Sequence, residues 1–432
     1  MLSKAGNSHV RIGIFPGMNA SDGGIFQYSL TALNTIREWK SNGCADEFTI
    51  YTDDAGKGAT LLREQGWSVK PVSPPTMKRR AAGWVRQMGG DDFVRVLNRF
   101  RPQRPFKGNG HFGAVEIKDD HRRWFESNGT ELMFYTVSTT LSFEAGAPYV
   151  MAIHDLQHRL QPEFPEVSAN GEWEAREYLF RNAAVNATLL LAESETGKED
   201  ILNFYGEYGV APDRVKVLPM LPACTLDTRV TDEEQGRVRD KHGLTEDFLF
   251  YPAQFWPHKN HKRIVEALGL LKREHNLTIH AAFCGSAAGE IRQLAFNEML
   301  ETAAREHVDT QIHCLGYLPD HEVSALYAAA EALIMPTFFG ATNIPPLEAW
   351  AFGCPVITSG IRGIREQMGD AAILVDPRSA HSIAEGVHRL VTSKETSELL
   401  AQKGRARLAS YTPADYRRRL IEILEEAKGR LN

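Results

Sequence analysis

Residues 332–357 read ALIMPTFFGATNIPPLEAWAFGCPVI, and this run leaves few ways to fold. Residues 333–335 are a short, wholly apolar run, which predicts a strand buried on both faces. A loop of small and polar residues, 337–343, follows. Pro345 and Pro346 then open a helix, because proline lacks an N–H that the first helical turn leaves unpaired anyway. Leu347, Glu348 and Ala349 fall in that first turn. A second apolar run, 355–358, predicts the next strand. Strand, loop, helix and strand at this spacing make a βαβ unit, whose open end beside the helix N-terminus suits an anionic ligand. A carboxylate at Glu348 facing that end suits a hydrogen bond to a ribose or sugar hydroxyl.

The same pattern recurs along the chain. At 432 residues it is too long for one compact domain and of a length for two. In the first half, β-rich runs predict strands at 10–15, 47–51, 67–72, 132–137, 149–153 and 188–193. Gly23 and Gly24 break the chain after the first of these, and the spacing of Ile25, Leu30, Leu33 and Ile36 predicts a helix. Helices are also expected over 173–187 and 196–204. Pro219 and Pro222 mark a linker at about 219–228. The second half restarts with strands at 248–253, 278–284 and 311–315. Asp320 is expected to cap the helix after the last of them. The chain closes on helical stretches at 379–391, 395–409 and 411–427.

Composition excludes several classes of function. A hydrophobic content of 43%, a charged content of 24% and a net charge of −6 fit a soluble globular protein and give no reason to expect nucleic acid. No apolar run has the length of a membrane span. The N-terminal residues lead directly into a strand, without the apolar core of a signal peptide. The five cysteines are scattered and form no C-x-x-C pair, which fits a reducing cytoplasm. The stretch 71–110 interleaves Lys and Arg with Trp84, Phe93, Val96, Leu97 and Phe100. It suits either a solvated helical pair or a basic amphipathic face that meets an anionic membrane peripherally.

Chemistry-bearing residues fall at strand ends. His154 follows the strand at 149–153, where an open α/β sheet places ligand-binding groups. His154 and His158 have the spacing of a metal pair on a helix, but Pro162 and the strand end argue against that helix, and no metal site is expected. Asp155 is expected to brace the turn. GNGHFG at 108–113 matches G-x-G-x-x-G, yet no strand precedes it and no apolar helix follows. Lys259 sits at a helix N-terminus, a position suited to a diphosphate.

Taken together and in order, the glycine loop, IHDL at 153–156, PHKN at 257–260, GYL at 316–318, PPLEA at 345–349 and GDAA at 369–372 resemble one family. It is the group 1, family 4-like class of retaining nucleotide-sugar glycosyltransferases. The resemblance implies the GT-B fold, two Rossmann-like domains facing each other across a deep cleft. Residues 1–221 would be the acceptor side, 222–411 the donor side, and 412–432 a helix crossing back to the first domain. It implies transfer of a hexosyl group, with retention, from a nucleoside diphosphate sugar to a glycan or lipid-linked acceptor in polysaccharide or cell-envelope synthesis. No metal or cofactor is implied beyond the donor. By the same resemblance His154 reaches the transferring sugar, Lys259 the diphosphate and Glu348 the ribose. Gly24, Gln254, Gly285, Gly316, Tyr317, Leu318, Thr342, Asn343 and Ile344 are the implied donor contacts.

The chain departs from the family pattern twice. Gly340 stands where the signature has its first glutamate, and Gln254 where it has an arginine. These departures motivate a second reading, a catalytically silent partner that keeps the fold and binds nucleotide sugar or another glycosyltransferase. Retention of His154, Lys259 and Glu348 favours the enzyme. The sequence argues against a dinucleotide dehydrogenase, since neither half opens with G-x-G-x-x-G after its first strand.

Overall fold

The computed structural model describes residues 9–18, 23–52, 57–73 and 115–431. The basic stretch from residue 74 onward and the GNGHFG run therefore lie outside the described residues. The first domain is built on strands β1 (Arg11–Phe15), β2 (Glu47–Thr52), β3 (Ser68–Pro71), β4 (Leu132–Tyr135), β5 (Tyr149–Ala152), β6 (Leu189–Ala192) and β7 (Val215–Val217). They form one sheet in the order β3-β2-β1-β4-β5-β6-β7. All pairings are parallel, with Ile12 opposite Phe48 on one side and Leu132 on the other. LMFY, YVMA and LLLA in β4 to β6 are buried at every position, as strands covered by helices on both faces must be.

The second domain repeats the design with β8 (Phe248–Pro252), β9 (His280–Cys284), β10 (Ile312–Gly316), β11 (Ala332–Met335), β12 (Val356–Ser359) and β13 (Ile373–Val375). Their order is β10-β9-β8-β11-β12-β13, again parallel. Both sheets reverse strand order at their centre, at β1/β4 and at β8/β11. In such sheets the crevice beyond the strand C-termini at that reversal is where ligands bind.

A last helix, Pro413–Gly429, returns to the first domain. Its Tyr416, Leu420, Ile423, Leu424 and Ala427 share a core with Ile12, Leu132 and Leu189. Burying a leucine or isoleucine contributes about 2 kcal/mol. Thr412 and Asp415 close a capping box at its start, and Lys428 reaches Asp46 at 2.8 Å.

Two local expectations change. Asp320 is not the cap of its helix: Pro319 holds that position, and Asp320 lies in the first turn, where its charge favours the helix dipole. β13 is a strand absent from the expected set, because its three residues are too few to display a period.

Candidate functional site

Loops leaving the parallel strands bring the two halves of the site together. β5 delivers His154 and Asp155, and β6 delivers Glu193. Opposite them β8 delivers Gln254, β9 Gly285, β10 Gly316 and Tyr317, and β11 the loop 337–343. Between the halves is a cavity of ≈ 230 Å³, lined by His154, Asp155 and Glu193 from the first domain and Gly340, Ala341 and Arg362 from the second, among others.

Lys259 ends a short 3-10 turn, Pro257–Lys259. Asn260 then takes a left-handed conformation at φ 64°, which asparagine tolerates, and starts the helix His261–Glu274. Its amide is fixed by the carbonyls of Pro336 at 2.9 Å and Pro377 at 2.8 Å, so the turn is anchored to the floor of the domain. Among the described residues the Lys259 ammonium has no ion-pair partner. Burial pushes its pKa down to about 8, against a weaker opposing pull from Asp155 across the cleft. A desolvated cation without a counter-charge is a site for an anion.

Gln254 does not stand alone. Its Oε1 accepts from Arg292 Nη1 at 2.5 Å and from Trp256 Nε1 at 3.2 Å. Arg292 comes from the helix Glu290–Arg305 and lies over the Trp256 ring, 4.7 Å from its centroid. Its Nε is buried with no hydrogen-bond partner among the described residues. The strand end that lacks an arginine of its own therefore carries one brought from a later helix. The sequence offered no signal for it, because that helix shows only an ordinary surface arginine.

His154 is held on both ring nitrogens. Nε2 donates to the Thr136 carbonyl at 3.0 Å, and Nδ1 meets Glu193 Oε1 at 2.5 Å. Burial alone would lower its pKa, but Glu193 and the Thr136 carbonyl overcome this and the net direction is up. In this conformation neither nitrogen is left for a sugar hydroxyl. Asp155 does brace the turn, accepting from the Gln157 backbone at 3.0 Å and pairing with Arg176 at 2.7 Å. His158 is fully buried against Glu177 at 3.1 Å and stacked on Phe180.

Glu348 lies in the first turn of the helix Pro345–Ala351, largely buried. Burial pushes its pKa up to about 7, although Tyr327 donates to its Oε2 at 2.7 Å. At neutral pH this carboxyl is thus poised between donor and acceptor. Gly285 N–H donates to the Gly316 carbonyl at 2.8 Å, and a Cβ on Gly285 would lie 2.4 Å from the Ala253 carbonyl oxygen. Tyr317 is 71% exposed, whereas the Leu318 side chain is packed into the core, which leaves only its main chain for a ligand. Thr342 donates to Glu193, and Asn343 exchanges hydrogen bonds with Gln367. Ile344 packs toward Gly24, where an added Cβ would come within 3.7 Å.

The domains touch through several groups. Glu366 accepts from the backbone N–H groups of Glu195 and Thr196, each at 3.0 Å, and from the Thr196 hydroxyl at 2.7 Å. Arg362 pairs with Asp200 and with Glu199. Glu166 binds His258, whose pKa burial pushes down to about 4, so the neutral ring donates. Phe164 and Val167 pack on Phe338 and Phe339. Sequence reasoning identified none of these, since each joins residues that only the fold brings together.

Comparison with known proteins places this geometry. Residues 232–407 match the model of the family described as glycosyl transferases group 1. The chain is similar to the O-antigen chain mannosyltransferase B of Escherichia coli, 26% identical over 229 residues, which are 52% of this chain and 58% of that protein. It is also similar to the D-inositol 3-phosphate glycosyltransferase of Corynebacterium glutamicum, 25% identical over 255 residues, 58% of this chain and 59% of that protein. The similarity thus spans little more than half the length of these curated relatives. Among solved structures, a glycosyltransferase from Rickettsia africae superposes with a TM-score of 0.68 at 14% identity, covering 97% of this chain and 99% of its own. HepE from Anabaena in complex with UDP-glucose gives 0.68 at 16% identity, covering 97% and 100%. These full-length superpositions establish the two-domain GT-B fold.

Proposed function

We propose, from the premise that residues 232–407 belong to glycosyl transferases group 1, that the protein transfers a hexosyl group from a nucleoside diphosphate sugar to a glycan or lipid-linked acceptor. Transfer proceeds with retention at the anomeric carbon and serves polysaccharide or cell-envelope glycan synthesis. The observation that carries this reading is Lys259, a part-buried, desolvated ammonium without an ion-pair partner among the described residues, at a helix start whose charge feels Asp155 of the other domain. A nucleoside diphosphate is already a good leaving group, so the principal task of the site is to stabilise the charge it develops. Lys259 and the N-terminus of the helix behind it supply that field, and Arg292 beside Gln254 adds a second cation. His154, whose pKa Glu193 and the Thr136 carbonyl raise against burial, orients the sugar side through its ring. Glu348 binds the ribose. Closure of the domains excludes water and limits hydrolysis of the donor.

The test is donor turnover with a panel of UDP-, GDP-, ADP- and dTDP-sugars, with and without EDTA. Release of nucleoside diphosphate from one donor, insensitive to EDTA and abolished in Lys259→Ala, is the expected result. Binding without turnover in the presence of cell-envelope extract would replace the enzyme with the silent partner that Gly340 and Gln254 suggest. Absence of binding to every donor would overturn both.

A further inference from the structure

Glu193 ends β6 and precedes Ser194, whose hydroxyl caps the helix Glu195–Tyr205. It is 5% exposed, and a carboxylate so placed needs a partner for each oxygen. The two partners lie on different domains. Oε1 meets His154 Nδ1 at 2.5 Å within the first domain, and Oε2 accepts from the Thr342 hydroxyl at 2.9 Å in the second.

The proton count at this point is constrained. The Thr136 carbonyl can only accept, so His154 Nε2 carries a hydrogen. Nδ1 faces a carboxylate, so that pair shares a further proton, and the charged arrangement is imidazolium beside carboxylate. The other titratable groups around it do not compete. Tyr28 lies edge-on to the His154 ring at 4.9 Å, on the helix Gly24–Ser41. Tyr416 on the returning helix faces the same carboxylate, Tyr411 just before that helix lies near Tyr416 and Tyr28, and burial first of all keeps all three phenols protonated. Their hydroxyls are buried and have no hydrogen-bond partner among the described residues. Asp155 is neutralised by Arg176. Among these described groups the His154 imidazole, its pKa raised against the burial that would lower it, is the one that can change charge near neutral pH.

We propose that Glu193 is a positioning residue that couples the protonation of His154 to closure of the two domains. One oxygen keeps the imidazolium charged and oriented. The other accepts from Thr342 only when the second domain is in place, so opening the cleft exchanges that hydrogen bond for water. Its catalytic consequence rests on the function proposed above, whereas the coupling itself does not.

Two measurements on the full chain without substrate test it. The first is the titration of His154 followed by imidazole resonances in NMR. Glu193→Gln is expected to lower its midpoint by about one pH unit or more, and Thr342→Val, by favouring the open form, to lower it in the same direction by a smaller amount, because coupling between protonation and closure acts both ways. The second is the radius of gyration from small-angle scattering. Thr342→Val removes the cross-cleft hydrogen bond together with a 3.7 Å contact to Met220 Sδ and is expected to shift the molecule toward a more open form, and Glu193→Asp, which keeps the charge but shortens the reach, to do the same. An unchanged His154 midpoint in either Glu193→Gln or Thr342→Val, or an unchanged radius in both Thr342→Val and Glu193→Asp, overturns the coupling. If no donor is turned over by the wild type, the enzyme reading fails, and these substrate-free measurements still decide the role of Glu193.

Discussion

Lys259 and Glu348 are each held away from their ordinary ionisation by burial, and each therefore carries a stability cost with a defined pH window. Lys259 falls from 10.5 to about 8, so the folded chain pays for its charge at every pH below 8 and is relieved as pH rises from 8 to 10.5. Lys259→Met is expected to raise stability by roughly 2 kcal/mol at pH 7 and by little at pH 10.5. Denaturant midpoints at the two pH values check this. The same variant should bind nucleoside diphosphate at least ~10-fold more weakly, the loss of about one charge-assisted contact. Glu348 rises from 4.5 to about 7, so its cost is complete above pH 7 and fades as pH falls from 7 to 4.5. Glu348→Gln, which keeps an acceptor for Tyr327, is expected to raise the thermal midpoint at pH 8 and leave it nearly unchanged at pH 4.5. Both positions were legible in the sequence because a helix start after a buried strand is a local pattern. Arg292 and Glu193 were not. Their partners lie 38 and 149 residues away, so nothing in their immediate sequence shows what they touch.

At the scale of elements, wholly apolar runs such as LLLA and ALIM announced their strands, because a strand covered on both faces has no polar position to blur it. Short edge strands such as β13 carry no such signal. The loop after β11 shows a finer limit. Gly340 has φ 114°, and a Cβ there would lie 2.4 Å from Asn343 Nδ2 and 2.9 Å from the Thr342 carbonyl oxygen. The sequence showed only that a glutamate is missing, whereas the backbone shows that the loop is wound for glycine. Gly340→Glu, which writes the signature residue back, is thus expected to lower donor turnover about 10-fold or more, because forcing a side chain into this backbone costs on the order of 1–3 kcal/mol and displaces Thr342 and Asn343. Steady-state kinetics beside a melting curve would separate that from unfolding, and a gain in turnover would show that the loop adapts.

For the whole molecule, the cleft is closed by contacts that depend on each domain being complete. Glu366 alone accepts from three donors at the start of the helix Glu195–Tyr205. Glu366→Ala removes all three acceptors at once and is expected to enlarge the radius of gyration and lower kcat about 10-fold, with the Kd for nucleoside diphosphate unchanged because Lys259 and Arg292 sit within one domain. A weakened Kd would show instead that the donor site is assembled by closure. The returning helix Pro413–Gly429 has a different consequence, in the order of events at the ribosome. Tyr416, Leu420 and Ile423 complete a core begun by Ile12. The first domain is therefore translated first and finished last, while the second can fold on contacts internal to it as it emerges. A chain stopped after residue 411 should expose that unfinished apolar face, bind a hydrophobic dye and aggregate, even though its second domain is folded.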